Sequence, residues 1–229
     1  KEDADGMYYL YKLYFRDVDI NGKIIETVTY AVDPYANSVS VNGDKGYVLD
    51  INEKSTKPIG FTNHPSPILS EKDDSIIYEM HIRDFTIDES SGVINDLRGT
   101  YLGAVEENTI YKNPYNGKYV KTGIDHLCEL GITHVHLMPI FDFGSVDERF
   151  PGSNNRNWGY DPKNFNVPEG SYCSNPYNPV TRILELRQMI MKFHERGIRV
   201  VMDMVYNHTF NTVESNFERT VPGYFYRQK

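Results

Sequence analysis

The sequence predicts an α/β fold in which a parallel sheet follows a β-rich N-terminal segment. Three observations point there. Two helical patterns each end on a glycine, Gly131 and Gly197, and a short apolar run follows each at once. The segments Glu129-Leu130-Gly131-Ile132 and Glu195-Arg196-Gly197-Ile198 repeat that helix-to-strand step. Residues 7–51, by contrast, are rich in aromatic and β-branched residues broken by turn signals.

The elements follow in order. Residues 7–15 and 23–32 read as strands, with Asn21-Gly22 between them as a hairpin signal. A second turn, at 42–46, separates strands at 38–41 and 47–51, so this part reads as the end of a β-sandwich-type module. Residues 52–75 lose periodicity and carry Pro58, Pro65 and Pro67. The division is therefore 1–54 for the β-rich module, 55–75 for a linker and 76–229 for the α/β part.

Residues 76–80 form a buried-type strand, and 81–121 read as a long polar stretch. Thr122, with Asp125 three residues on, is placed to open a capped helix that closes at Gly131. A strand at 132–138 and a long loop at 139–177 come next. Asn178 as N-cap and Pro179 at the first helical position open another helix, with Ile183, Leu186, Ile190 and Phe193 as its apolar stripe. The strand at 198–204 follows, and 205–229 show no helical pattern. Strand–helix–strand–helix–strand gives βαβαβ, hence parallel pairing, and apolar runs of this kind suit strands buried on both faces. Three strands are an incomplete sheet, whether the parent is doubly wound or an eight-stranded barrel, so the chain reads as part of something larger.

Composition excludes several classes. Lys and Arg number 24 against 32 Asp and Glu, a net charge of −8, which argues against nucleic acid or an anionic membrane as main partner. No apolar run reaches the roughly 18 residues of a membrane-spanning helix. The polar start at 1–6 predicts no signal peptide in this span, and the compartment stays open between cytoplasmic and secreted. Two cysteines, Cys128 and Cys173, are too few for a disulfide framework or a cysteine zinc site. Tyrosine is abundant, 18 of 229 residues, which suits sugar-stacking surfaces and β-sheets alike.

Chemistry in α/β sheets sits at the carboxyl ends of strands. Asp203 is a carboxylate inside an apolar strand, where burial demands a cation, hydrogen-bond donors or a metal; a structural ion pair satisfies it equally well. His208 follows just past that strand. Trp158, Gly159, Tyr160 and Asp161 place rings and a carboxylate on one turn, which suits a polyhydroxyl ligand, or pins the loop to the core. Glu79, His81, Arg83 and Asp84 read as an ion-pair network at the rim. No phosphate-cradling glycine pattern or serine-nucleophile elbow is present.

At these residues the sequence resembles the type I pullulanases, debranching enzymes of the α-amylase superfamily of glycoside hydrolases (family 13). Tyr78-Glu79-Met80-His81-Ile82-Arg83-Asp84-Phe85 is similar to the first barrel strand, and Asp203-Met204-Val205-Tyr206-Asn207-His208 to the superfamily's first motif. Asn157-Trp158-Gly159-Tyr160-Asp161-Pro162, continued by 166–172, resembles the pullulanase type in particular. Ala31-Val32-Asp33-Pro34-Tyr35-Ala36 looks like the junction of a starch-binding-type module with the barrel. The resemblance implies the first three strands of a (β/α)8 TIM-type barrel and a retaining hydrolase acting on α-1,6 branch points in pullulan, glycogen, starch or limit dextrins. Its nucleophilic Asp and acid Glu match nothing before Lys229, so the catalytic pair lies outside this span. Tyr160 matches the platform under the sugar and Asp161 a hydroxyl acceptor, with Trp158 on the same loop. His208 matches a donor to the sugar's O6, and Asp203 the partner of an arginine near the nucleophile. Asn207 matches a position that helps hold calcium in several amylases, so calcium is an optional ligand and no other cofactor is implied. Alone, this span would need a partner chain to complete the barrel. Two other readings are a non-catalytic α-glucan-binding or structural fragment and another α-glucan-active transglycosylase.

Overall fold

Tyrosines and β-branched residues flanking a polar turn build the first hairpin. The computed structural model describes residues 4–150 and 156–227, so positions 1–3 of the polar start and 228–229 of the C-terminal stretch lie outside the described residues. The short strand β1 (Tyr8–Tyr9) precedes β2 (Tyr11–Val18) and β3 (Ile24–Ala31), which pair antiparallel from Tyr11 opposite Ala31 to Val18 opposite Ile24. That register makes the turn five residues, 19–23, shorter than the gap of 16–22 left between the strands read from sequence, and Asn21-Gly22 lies within it. The Asp19 carboxylate sets its length by accepting the N–H groups of Asn21 (2.8 Å) and Lys23 (2.9 Å). The second turn makes only the isolated bridge between Val39 and Gly46, because β4 (Gly46–Tyr47) pairs with β1 instead.

The parallel sheet is as the helix caps predict. Strand β5 (Ile77–Met80) leads into helix α1 (Ile82–Thr86), whose N-cap is His81. The polar stretch that follows is more ordered than its composition suggests, with a small hairpin of β6 (Ile110–Lys112) and β7 (Tyr119–Lys121). Helix α2 (Gly123–Glu129) leads to β8 (His134–Leu137). Thr122 occupies the N-cap but forms no capping box. Its hydroxyl goes to the Ser91 carbonyl, and Asp125 accepts from Asn108 N–H (2.6 Å) and Arg196 (2.6 Å).

The expected loop at 139–177 contains two strands, β9 (Phe141–Phe143) and β10 (Pro162–Pro168), paired antiparallel across an interrupted register. Helix α3 (Pro179–Glu195) is capped by the Asn178 side chain accepting from Val180 N–H, and Gly197 ends it at φ +76°. Strand β11 (Arg199–Met202) closes the sheet, in the order β11-β8-β5 with Ile77, His134 and Arg199 in register. Helix α4 (Asn216–Thr220), unforeseen in the C-terminal stretch, is capped by Ser215.

One face of the sheet carries Tyr78, Met80, Val135 and Leu137 onto Ile124 and Leu127 of α2 and Met189 and Phe193 of α3. The strands are not buried on both faces as expected. Ile77, Glu79, His134 and His136 lie on the other face, which is open among the described residues. Of the apolar stripe read on α3, Ile190 is half-buried and Met189 takes its place in the core. The N-terminal hairpin rests on α4: Thr29 Oγ1 donates to Arg219 O (2.9 Å), and Val32 N–H to Asn216 Oδ1 (3.1 Å). The end of the expected module and the start of the linker lie along α3, where Arg187 donates to Ile51 O (3.1 Å) and Thr56 O (2.8 Å). Among the described residues no helix is long and apolar enough to cross a membrane.

A buried charge cluster fastens these parts. Arg182, fully buried in α3, binds both Glu148 oxygens (3.0 and 2.8 Å) and reaches Asp142 Oδ1 (3.3 Å) and Pro168 O (3.2 Å). Asn42 N–H donates to Glu148 (2.6 Å), and Asn164 Nδ2 to Asp142 (2.7 Å) and Gly43 O (3.1 Å). Glu169 accepts from Phe143 N–H (3.1 Å) and Ser171 N–H (2.8 Å). One guanidinium thus faces three buried carboxylates. Burial, reinforced by the Glu148 charge and opposed by Arg182, pushes Asp142 from its ordinary 3.8 up to about 7. Glu169 is pushed well up by burial and by the same neighbours.

The folded state therefore holds a proton on Asp142 that the unfolded chain has released between about pH 4 and 7. That contribution to stability is complete below pH 4 and is lost as pH rises through 7. Across this range the urea midpoint of the parent should lose more, or gain less, with rising pH than that of Asp142→Asn; identical pH profiles would place the titrating proton elsewhere.

Candidate functional site

The three parallel strands end level with one another: Met138 N–H donates to Met80 O (3.0 Å) and Asp203 N–H to Leu137 O (3.0 Å). Over these ends lies the loop between β9 and β10. It brings the sequence-predicted residues together. Tyr160 donates its hydroxyl to Asp203 Oδ2 (2.7 Å), and His208 Nε2 meets the Tyr160 carbonyl. The carbonyl accepts, so Nε2 carries the hydrogen and Nδ1 is the nitrogen left to a ligand. The bond to Asp203, with burial and the carboxylate's charge adding, pushes the Tyr160 phenol up to about 12, so it stays a donor near neutral pH.

Asp203 departs from expectation in its burial. It is half-buried rather than enclosed, because the sheet face beside it is open; its partner, the Tyr160 phenol, is one of the hydrogen-bond donors that the residue type called for. Asp161 accepts from Ser145 Oγ at Oδ2 and from Asn157 Nδ2 at Oδ1, both at 2.6 Å. Trp158 is 55% exposed, so it does not pin the loop to the core; Arg156 lies 5.8 Å over its ring and pairs with Asp84 (2.6 Å). Together Ser145, Asn157, Trp158, Tyr160, Asp161 and Phe210 line an open cleft of about 610 Å³. Rings with adjacent acceptors and donors at strand ends suit a ligand with an apolar face and many hydroxyls.

The rim network exists in part: Asp84 gathers His81 (3.6 Å), Arg83 (3.4 Å) and Arg156, while Glu79 stands apart from it on the open sheet face, where it faces His136 at 3.7 Å. His81 is more than a rim residue: it is buried, donates from Nε2 to Asn157 O (2.8 Å) and packs edge-on against Tyr172. Sequence reasoning missed Ser145 and Phe210, single residues in a stretch that reads as loop.

For a metal, the one acidic cluster among the described residues is Asp142, Glu148 and Glu169. It does not fit calcium: the Arg182 guanidinium bridges two of its carboxylates and already supplies the cation that they face. Asn207 is exposed, apart from this buried cluster.

The sequence matches the family "Alpha amylase, catalytic domain" over residues 118–223. A pullulanase of Bacillus subtilis (strain 168) is 46% identical over 208 residues, covering 90% of this chain and 26% of the relative. The chloroplastic pullulanase 1 of Arabidopsis thaliana is 32% identical over 260 residues, 97% of this chain and 25% of the relative. The crystal structure of the Paenibacillus barengoltzii pullulanase in complex with maltohexaose and alpha-cyclodextrin superimposes with a TM-score of 0.87 at 45% identity, over 100% of this chain and 33% of that one. Over nearly its whole length the chain is similar to pullulanases, and residues 118–223 match the α-amylase catalytic domain. It spans about a quarter of the length of these curated relatives, and its α/β part has the fold of their barrel.

The loop after β11 is seated by one close approach. A Cβ on Gly144 would lie 2.2 Å from Cγ of Phe210, whose N–H donates to Pro162 O (2.9 Å). Gly144→Ala should expel the ring and cost about 1–3 kcal/mol in a denaturant titration. A midpoint equal to the parent's would mean that Phe210 is not seated there.

Proposed function

We propose that this segment supplies the sugar-holding half of a debranching glycoside hydrolase. The substrates proposed are α-1,6-glucosidic branch points in pullulan, glycogen, starch or limit dextrins. The observation that carries the reading is the meeting of Tyr160, Asp161, Asp203 and His208 at the strand carboxyl ends. In this reading residues 1–54 end a β-sandwich of starch-binding type, 55–75 link it, and 76–229 form the first three strands of a (β/α)8 barrel. The open sheet face and the exposed strand edges support a barrel continued by further strands.

The reaction proposed is retaining hydrolysis. Two carboxyl groups roughly 5–5.5 Å apart, one nucleophile and one acid, act on the glycosidic bond. Both are assigned to barrel strands outside this span. The residues here bind and orient. Tyr160 places its ring under the sugar, and Asp161 accepts from its hydroxyls. His208, whose Nε2 hydrogen goes to Tyr160 O, accepts from the O6 hydroxyl at Nδ1 rather than donating to it as the resemblance implies. Asp203 keeps Oδ1 for the arginine that accompanies the nucleophile, while Tyr160 holds Oδ2. Carboxyl groups and water suffice for this chemistry, so no cofactor is called for.

The test uses the full-length protein that carries this segment. It should release maltotriose from pullulan and leave linear α-1,4 glucan largely uncut. Asp161→Ala should lower kcat/KM on pullulan about 10–100-fold, the loss expected for a hydrogen bond to a charged group. Preference for α-1,4 over α-1,6 linkages would overturn the substrate assignment, and an unaltered Asp161→Ala rate would overturn the role given to that residue.

A further inference from the structure

We infer that Ser145 is a positioning residue for Asp161, fixing which carboxylate lone pairs meet the sugar; the inference rests on the role proposed above for Asp161. Three residues form a closed ring of hydrogen bonds. Ser145 Oγ gives its single hydrogen to Asp161 Oδ2 (2.6 Å). Asn157 Nδ2 gives one hydrogen to Ser145 Oγ and the other to Asp161 Oδ1, both at 2.6 Å. Asn157 Oδ1 accepts from Gly159 N–H (2.9 Å), which fixes the amide with its NH2 toward the carboxylate. Every donor hydrogen in the ring is spent, and each Asp161 oxygen receives one bond.

That count decides what is left for a ligand. An ionised carboxylate has about four lone-pair sites, and the ring occupies one on each oxygen. The remaining acceptor positions are fixed in direction, since the carboxylate cannot rotate about its terminal torsion without breaking both bonds. Removing the serine hydroxyl frees Oδ2 and takes away one of the two acceptors of Asn157 Nδ2. Asp161 then holds its place through Oδ1 alone.

The ring is also anchored from below. His81 Nδ1 accepts from Asp84 N–H (3.1 Å), so its hydrogen sits on Nε2 and is donated to Asn157 O (2.8 Å). Burial pushes this imidazole's pKa down and keeps it neutral, holding that tautomer. Ser145 itself is exposed on the cleft wall and packs into no core, so its loss acts on the carboxylate rather than on the fold.

The experiment compares Ser145→Ala, Ser145→Thr, Asp161→Ala and the Ser145→Ala/Asp161→Ala double variant in the full-length protein on pullulan, with melting temperatures alongside. Ser145→Ala should lose about tenfold in kcat/KM at an unchanged melting temperature, the scale of a misplaced binding group. Threonine, which keeps the hydroxyl, should restore most of it. In the Asp161→Ala background the serine change should add nothing, because both act through one carboxylate. Full activity in Ser145→Ala beside a crippled Asp161→Ala would overturn the positioning role and leave the site reading standing. Additive losses in the double variant would overturn it too, since Ser145 would then act on the substrate directly. An unaffected Asp161→Ala would remove the reading beneath it.

Discussion

The enclosure of Arg182 among Asp142, Glu148 and Glu169 is the constraint on which the remaining structure hangs. Taking a guanidinium and carboxylates out of water costs several kcal/mol per ion, and the loss is recovered only where geometry is close and every remaining donor and acceptor is occupied. Here the bidentate pair with Glu148 and the backbone bonds from Asn42, Gly170, Phe143 and Ser171 meet most of that condition, and the Arg182 Nε–H alone of the guanidinium's groups is left without a partner. The cluster touches α3, β9, the start of the segment after β10 and the turn at 42–43. Asn164 extends it to α4 through Asn216 (3.0 Å). Breaking one partner of such a group leaves the others charged in a dry interior, at about 3–5 kcal/mol.

The functional consequence is indirect. β9 and β10 are the two stems of the loop that carries Trp158, Tyr160 and Asp161, and their pairing register is irregular. Backbone pairing alone holds such stems weakly. The Asp142–Asn164 bond across them and the Arg182 bond to Pro168 O fix their separation, so the loop leaves the scaffold from defined points. From there, local bonds finish the arrangement: Tyr160 to Asp203 of the third parallel strand's end, His208 back to the loop, His81 up to Asn157. The ends of two of the parallel strands, β5 through His81 and β11 through Asp203 and His208, thereby tie down a loop that is not itself part of the parallel sheet.

What the sequence revealed and what it hid follow from the same physics. Glycine caps at Gly131 and Gly197 and the Asn178-Pro179 start are local signals, and they predicted the βαβαβ core correctly. The aromatic loop and the strand-end residues were legible as chemistry and by resemblance. Arg182 was not, although a signal was there: 182, 186, 189 and 193 share one helix face, so a charge stands within the apolar stripe. Strands β9 and β10 hid because their pairing depends on buried polar side chains, Asp142 and Asn164, rather than on alternating apolar residues. Thr122 and Asp125 fit a capping box in sequence, yet Ser91 and Arg196, distant in the chain, offered better partners. Asp203 looked buried because its neighbours are apolar, but burial depends on what covers a sheet face, and a strand's own sequence does not contain that.

The measurement that tests the central claim most directly is a crystal structure of the full-length protein soaked with maltotriose. A glucose ring lying on Tyr160, with a hydroxyl within hydrogen-bond distance of Asp161 and the Tyr160–Asp203 bond intact, is the result this account requires. Sugar bound elsewhere, with Tyr160 and Asp161 left to solvent, would contradict it.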